Sequence, residues 1–373
     1  MSKFIPVNEP LLDGNEKKYL SECIDSGWIS SEGPFVKRFE KDFASRIGRK
    51  HAIAVTNGTA AIDAAVESLE IREGDEVILP TFTIISCIMQ LVRVGAVPIL
   101  VDADPLTWNM DITQIESKIT TRTKAIMIVH IYGLPVDLDP VIKICKKFNL
   151  KLIEDSAESI GAKQNGVMAG TNGKISLFSF NATKLIMSSQ GGCLCTNNKK
   201  IYEKAKLFSH HGIDKNKTGK YYWSTLVGYN YNWTNIQAAC ALAQLKRIKD
   251  LLKYKKKVYL TYRKFFSKIR NVEITKKIHN QEQTFWIVYA VIKKKIDKEK
   301  FCEKFKKYNI DMRPMFYQIS SMPPFKNIKC IKENKTSNQI SKYSVCLPNG
   351  YDLNEKKIKR ISQIFDLILN KNG

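Results

Sequence analysis

The chain has 373 residues, 44% hydrophobic and 26% charged, which is the balance of an ordinary folded protein and too apolar for a disordered one. No apolar run approaches the roughly 18–20 residues of a membrane-spanning helix, and the polar start lacks the apolar stretch of a secretory leader, so a cytoplasmic protein with no membrane partner is expected. A net charge of +24 could serve nucleic acid, but the lysines are strewn along the chain without a zinc-finger, RNP or basic-zipper pattern, so the expected partner is a polyanionic small molecule such as a nucleotide diphosphate.

Residues 52–55 read as a strand running into Thr56-Asn57-Gly58-Thr59, with a helix over 60–69. Strands follow at 76–79 and 97–101, on either side of a helix over 83–94. The β-branched run 125–130 is a buried strand, 140–148 a helix, and 151–154 a strand ending at Asp155. Further strands are expected at 175–180 and 193–196. One long helix then runs from Thr234, its N-cap, toward Phe266. The remainder reads as strands at 272–275 and 286–292 and helices at 299–308 and 354–369. Strand–helix alternation with buried strands implies an α/β domain on a mostly parallel sheet over 1–249, with a smaller C-terminal α+β domain over 250–373. Ligands in such sheets bind beyond the carboxyl ends of the strands.

Nine cysteines are odd in number and scattered. The close pair Cys193 and Cys195 is read as pointing to opposite faces of its strand, and His210-His211 also has poor ligand spacing, so reduced thiols and no metal are expected.

Four segments carry candidate chemistry. Gly58 and Thr59 open a helix after a strand, where backbone N–H groups make an anion site, although many strand–helix turns look similar. Asp155, in Ile153-Glu154-Asp155-Ser156-Ala157-Glu158, is a carboxylate at a strand end that could cap a turn or meet a cationic ring nitrogen. Phe178-Ser179-Phe180-Asn181-Ala182-Thr183-Lys184 sets one lysine on a turn before Gly191-Gly192. A lysine against apolar walls can form a Schiff base, whereas a lone turn lysine is usually a surface residue. Ser179 offers a hydroxyl for a phosphate. Gly228 to Ala239 joins a polar, aromatic loop to the long helix.

Together these segments resemble the DegT/DnrJ/EryC1/StrS sugar aminotransferases, fold-type I pyridoxal phosphate enzymes. The resemblance spans essentially the whole chain, through Ser26-Gly-Trp-Ile-Ser-Ser-Glu-Gly-Pro34, Pro80-Thr-Phe-Thr83, His130-Ile-Tyr-Gly133, Arg313-Pro-Met-Phe-Tyr317 and Leu347-Pro-Asn-Gly350. The N-terminal and Arg313–Tyr317 segments resemble the GDP-perosamine synthase branch, which aminates C4 of a nucleotide-linked 4-keto-6-deoxy sugar. The resemblance implies that Lys184 is the Schiff-base lysine and Asp155 the partner of the pyridinium nitrogen. It sets Glu158 near the ring hydroxyl and Ile88 against the ring face. Gly58, Thr59 and Ser179 become the phosphate cradle, and Asn230 reaches the phosphate of a neighbouring subunit. Arg313, Tyr317 and Gln190 face the sugar nucleotide. L-Glutamate as donor, 2-oxoglutarate as its product, a pyridoxamine phosphate intermediate and a homodimer with shared sites follow from the same likeness.

The sequence departs from that branch at Gln190, Asn232 and Ser320, where relatives carry an acidic residue, an arginine and a histidine. Two other outcomes remain open at this stage. Dehydrating relatives replace the lysine with histidine, which Lys184 argues against, and a non-catalytic cofactor-binding homologue would be expected to lose Lys184 or Asp155.

Overall fold

In a computed structural model that describes residues 3–214, 218–326, 328 and 334–370, the expected strands of the first 200 residues assemble into one seven-stranded sheet. The strands in chain order are β1 (His51–Val55), β2 (Glu76–Pro80), β3 (Val97–Val101), β4 (Thr123–Val129), β5 (Lys151–Asp155), the short β6 (Lys163–Gln164) and β7 (Val167–Met168), then β8 (Ile175–Ser179) and β9 (Gly192–Thr196). The large sheet has the order β1-β9-β8-β5-β4-β2-β3. β9 is antiparallel to both neighbours and the other pairs are parallel. Six strands therefore run one way, and their carboxyl ends share one edge.

Alternation along the strands explains the layers. Ile53 and Val55 of β1 pack toward Ala60 and Ala64 of α3 (Gly58–Ser68), while Ala52 and Ala54 pack toward Phe39 and Phe43 of α2 (Pro34–Ile47). α2 is preceded by α1 (Glu16–Ser26) and followed along the chain by α3 and α4 (Ser86–Arg93). α5 (Leu138–Lys147) covers β4 through Val141 and Leu138. With both faces covered, the sheet is buried and its strands are nearly all apolar.

After α6 (Lys199–Ser209), the expected single helix from Thr234 is two: α7 (Asn235–Lys246) and α8 (Ile248–Phe266). Thr234 is the N-cap, completing a capping box with Gln237. The break is at Arg247, whose φ of −110° and ψ of 15° leave the helical region, and whose guanidinium pairs with Asp13. The β10 (Val272–Ile274), β12 (Tyr289–Ile292), β13 (Arg313–Pro314) and β14 (Ser344–Cys346) strands form a four-stranded antiparallel sheet, and β11 (Gln281–Glu282) joins β6 and β7. α8, α9 (Lys298–Lys306) and α11 (Glu355–Asn370) pack with it around Tyr262, Phe266, Phe305 and Phe365; α10 (Lys335–Tyr343) lies between β13 and β14 in the chain. Ile5 belongs to this C-terminal cluster, bridging to Ile310, so the amino terminus packs with the last third of the chain.

Several expectations shift. α4 begins at Ser86 rather than residue 83, β12 at Tyr289 rather than 286, and His130 lies past the end of β4. α1, α2, α6 and α10 were not anticipated as elements. α2 had a clear signal: Phe35, Phe39, Phe43 and Ile47 at helical spacing, Pro34 at the first turn and Gly48 beyond the end with φ 72°. Cys193 and Cys195 share one face of β9, their sulfurs 3.8 Å apart, because residues two apart on a strand point the same way. Among the described residues no group of three or more His, Cys, Asp or Glu side chains could hold a metal ion, and no helix is long and apolar enough to cross a membrane.

Candidate active site

The carboxyl edge of the sheet gathers the segments singled out in the sequence. β1 feeds Asn57, whose side chain caps α3 by accepting from Ala60 N at 2.8 Å. The first N–H groups of a helix have no acceptor within it, and here Gly58 and Thr59 supply them. Ser179 closes β8 beside this turn: a Cβ on Gly58 would lie 3.1 Å from the Ser179 Cβ and 3.3 Å from its Oγ. Gly192 is needed for the same close approach, since a Cβ on it would meet the Asn57 carbonyl oxygen at 2.3 Å, while a Cβ on Gly191 would meet the Trp233 ring at 2.6 Å. The turn, the helix end and the hydroxyl thus bring N–H and O–H donors to one place, the donor set that an anion would need.

Asp155 ends β5 and is buried. Its Oδ1 accepts from Ala157 N at 3.0 Å and its Oδ2 from the Cys87 thiol at 3.3 Å. Burial pushes its carboxyl up from the ordinary range, against these hydrogen bonds and the charge of Lys184. Glu158, one turn on, accepts from Tyr132 N at 2.7 Å and is also raised by burial, with Lys184 opposing. A nearby cation would relieve both groups.

Lys184 lies on the turn after β8, fixed by its N–H to the Asn181 carbonyl. Its side chain is only 14% exposed, with Nζ 3.4 Å from Glu158 Oε1. Nζ also lies 3.7 Å from the centroid of the Trp286 ring. The expected apolar walls are thus an indole face and a carboxylate. The indole is itself held, donating from Nε1 to the Thr183 carbonyl at 2.6 Å. Tyr132 stacks on Phe316 with centroids 5.0 Å apart and accepts from Phe316 N, which brings the 313–317 segment to the same edge.

The remaining expected residues are distributed differently. Ile88 has no exposed surface and packs in the core under α4, so it presents nothing to a cofactor; Ile84 and Ile85, just before α4, are each 38% exposed. Helical spacing explains this: α4 starts at Ser86 and turns Ile88 inward with Cys87 and Leu91. Gln190 is exposed, and its carbonyl accepts from Trp233 Nε1 at 3.1 Å. Asn230 is exposed and accepts from Asn232 Nδ2 at 2.9 Å. Arg313 is largely exposed and pairs with Asp311 at 3.4 Å. Tyr317 donates to Glu299 while Lys298 Nζ sits 3.6 Å from its ring centroid. Cys87, Tyr132 and Trp286 were missed. The aromatic pair lay in segments quoted only for their likeness or as strands, and Cys87 in a predicted helix.

The family model for DegT/DnrJ/EryC1/StrS aminotransferases matches residues 10–366. The chain is 40% identical over 323 residues to a GDP-perosamine synthase of Escherichia coli O157:H7, covering 87% of each chain. It is 37% identical over 369 residues to the GDP-perosamine synthase of Caulobacter vibrioides, covering 98% of each. Its fold matches that of Helicobacter pylori PseC, an aminotransferase involved in the biosynthesis of pseudoaminic acid, with a TM-score of 0.93 at 24% identity, over 99% of this chain and 100% of that one.

Proposed function

The chain belongs to the DegT/DnrJ/EryC1/StrS aminotransferase family, and we propose that it transfers an amino group from L-glutamate to C4 of a nucleotide-linked 4-keto-6-deoxy sugar, in the manner of a GDP-perosamine synthase. It is a pyridoxal-phosphate-dependent enzyme of nucleotide-sugar amination; a Streptococcus pneumoniae relative in structure has been solved in both PLP and PMP forms. The finer assignment draws its support from three GDP-perosamine synthases at 36–40% identity.

The observation that carries the reading is the amine of Lys184 held between Glu158 and the Trp286 ring, with a second buried carboxylate, Asp155, nearby. These residues fit the cofactor. The cradle of Gly58, Thr59 and Ser179 would take its phosphate, Asp155 would keep the proton on its ring nitrogen, and Glu158 would lie near its ring hydroxyl. When bound, the cofactor supplies an electron sink for charge left on the amino carbon. Lys184 Nζ then takes the proton from the carbon of the donor and returns one to the sugar carbon. Its low exposure restricts competition from bulk water. Arg313, Tyr317 and Gln190 would meet the sugar nucleotide. We assign residues 1–249 to cofactor binding and 250–373 to the smaller unit.

A homodimer accords with the exposed Asn230 and the exposed apolar residues Ile84, Ile85 and Met89 near this edge. The test is the absorbance spectrum of the protein with pyridoxal phosphate, before and after L-glutamate, then with GDP-, UDP- and dTDP-linked 4-keto-6-deoxyhexoses. Glutamate should abolish the visible band and the GDP sugar should restore it fastest. A band indifferent to glutamate would sink the donor, and equal restoration by all three sugars would sink the GDP preference.

A further inference from the structure

Lys255, on α8, is a fully buried lysine, and the chemistry above does not use it. Burial lowers its pKa to about 7, with Glu9 opposing. A buried amine is unfavourable unless its protons are placed, and these are. Nζ donates to Asn8 Oδ1 at 3.2 Å and to the Asn349 carbonyl, and lies 4.3 Å from the centroid of the Tyr351 ring.

Both asparagines lead toward Lys184. Lys255 Nζ donates to the Asn8 amide oxygen, which leaves the Asn8 amide nitrogen aimed elsewhere. That nitrogen donates to the Thr183 carbonyl, the same oxygen that accepts from Trp286 Nε1 at 2.6 Å. Asn349 Nδ2 donates to the Phe285 and Trp286 carbonyls at 2.9 and 2.6 Å, and Asn349 N donates to the Val7 carbonyl at 2.7 Å. One amine thus joins the amino-terminal segment, α8 and the Leu347-Pro-Asn-Gly350 segment to the peptide and the indole that flank Lys184.

We propose that Lys255 is a positioning residue for Lys184, acting through Asn8 on the Thr183 carbonyl and through Asn349 on the backbone of Trp286. The proposal rests on the reading of Lys184 as the cofactor-bearing lysine. Asn8 and Asn349 hold the two ends of the Lys184–Trp286 contact in register, and Lys255 holds them.

The test compares Lys255→Met, Asn8→Ala, their double variant and Lys255→Arg. In cofactor-free protein, hydrogen–deuterium exchange of the segment 181–186 should speed up about tenfold in the first two variants, with the C-terminal helix unchanged. With pyridoxal phosphate bound, the rate at which glutamate removes the visible band should fall about tenfold in each, at an unchanged half-saturating glutamate concentration. The double variant should be no slower than the slower single, because two residues in one relay are not additive. Lys255→Arg, which keeps the donors, should recover most of the rate. Wild-type exchange and rate in Lys255→Met, or single effects that multiply in the double variant, would overturn the proposal. If Lys255→Met does not fold, Asn8→Ala carries the test alone, and wild-type exchange over 181–186 there would overturn it. A visible band that persists in Lys184→Ala would instead overturn the reading of Lys184.

Discussion

Glu154 and Asp155 are neighbours on β5, both carboxylates and both buried, and they do opposite things. Glu154 faces the side of the sheet that carries the 170–173 turn. Its oxygens accept from Gly170 N, Asn172 N and Gly173 N and from His130 at 3.1 Å. His130 Nδ1 accepts from Val136 N, so its proton is on Nε2 and points at Glu154. Burial works to raise the Glu154 pKa, but this set of donors brings it below the ordinary carboxylate range. Asp155 faces the site with one N–H and one weak thiol donor, and burial prevails. A buried carboxylate with its lone pairs filled is scaffold; one left underfilled is poised for a cation. Position in sequence differs by one residue, and the strand's alternation does the rest.

The largest effect expected lies on the Asp155 side. Lys184→Ala should lower the rate of keto-sugar amination by roughly a thousandfold or more, with circular dichroism unchanged. A turnover near wild type would remove the lysine from the chemistry. Asp155→Asn should cost roughly a hundredfold in kcat while the unfolding midpoint of the cofactor-free protein stays level or rises. Glu154→Gln should invert that pattern. Its amide nitrogen must face N–H donors, which costs about 3 kcal/mol in denaturant unfolding, while kcat per folded molecule is retained. A Glu154→Gln protein as stable as wild type would erase the contrast. Ser179→Ala should weaken pyridoxal phosphate binding about tenfold, the scale of one hydrogen bond to a charged group, as read by equilibrium titration.

The smallest effect separates the two acids by pH. Glu154, with a depressed pKa, adds stability that is present above about pH 4.3 and lost as pH falls through its folded value. Asp155, with a raised pKa, does the reverse. The unfolded group ionises first, near pH 3.9, so the folded state loses ground as pH rises toward the folded value. The stability of cofactor-free wild type relative to Asp155→Asn should therefore decline from pH 4 upward, while its advantage over Glu154→Gln should grow as pH rises toward about 4.3 and level off above that. Parallel curves in urea titrations across this range would contradict the assignment.

Much of this site was legible from the sequence because its signals are local. A strand end, a glycine turn and a helix start sit within a few residues at Val55 to Thr59, and in Ile153 to Glu158 and Phe178 to Lys184 the polar residues follow directly on a strand end. Their shared edge follows from parallel strands, which the alternation of strand and helix implied. Ile88 is buried in the core because a motif fixes neighbours but not helix phase, and α4 starts three residues later than the pattern suggests. Trp286 was out of reach because it meets Lys184 across 101 intervening positions.

The sequence alone therefore determined the α/β alternation and the setting of a carboxylate, a lysine and a glycine turn at strand ends, each written in short-range periodicity and turn chemistry. Tertiary structure decided which of two adjacent acids is filled, which ring covers Lys184, where the long helix breaks at Arg247, and that Lys255 is buried against Asn8 and Asn349. Those outcomes depend on contacts between segments remote in the chain, and no local pattern of residues carries the geometry that joins them.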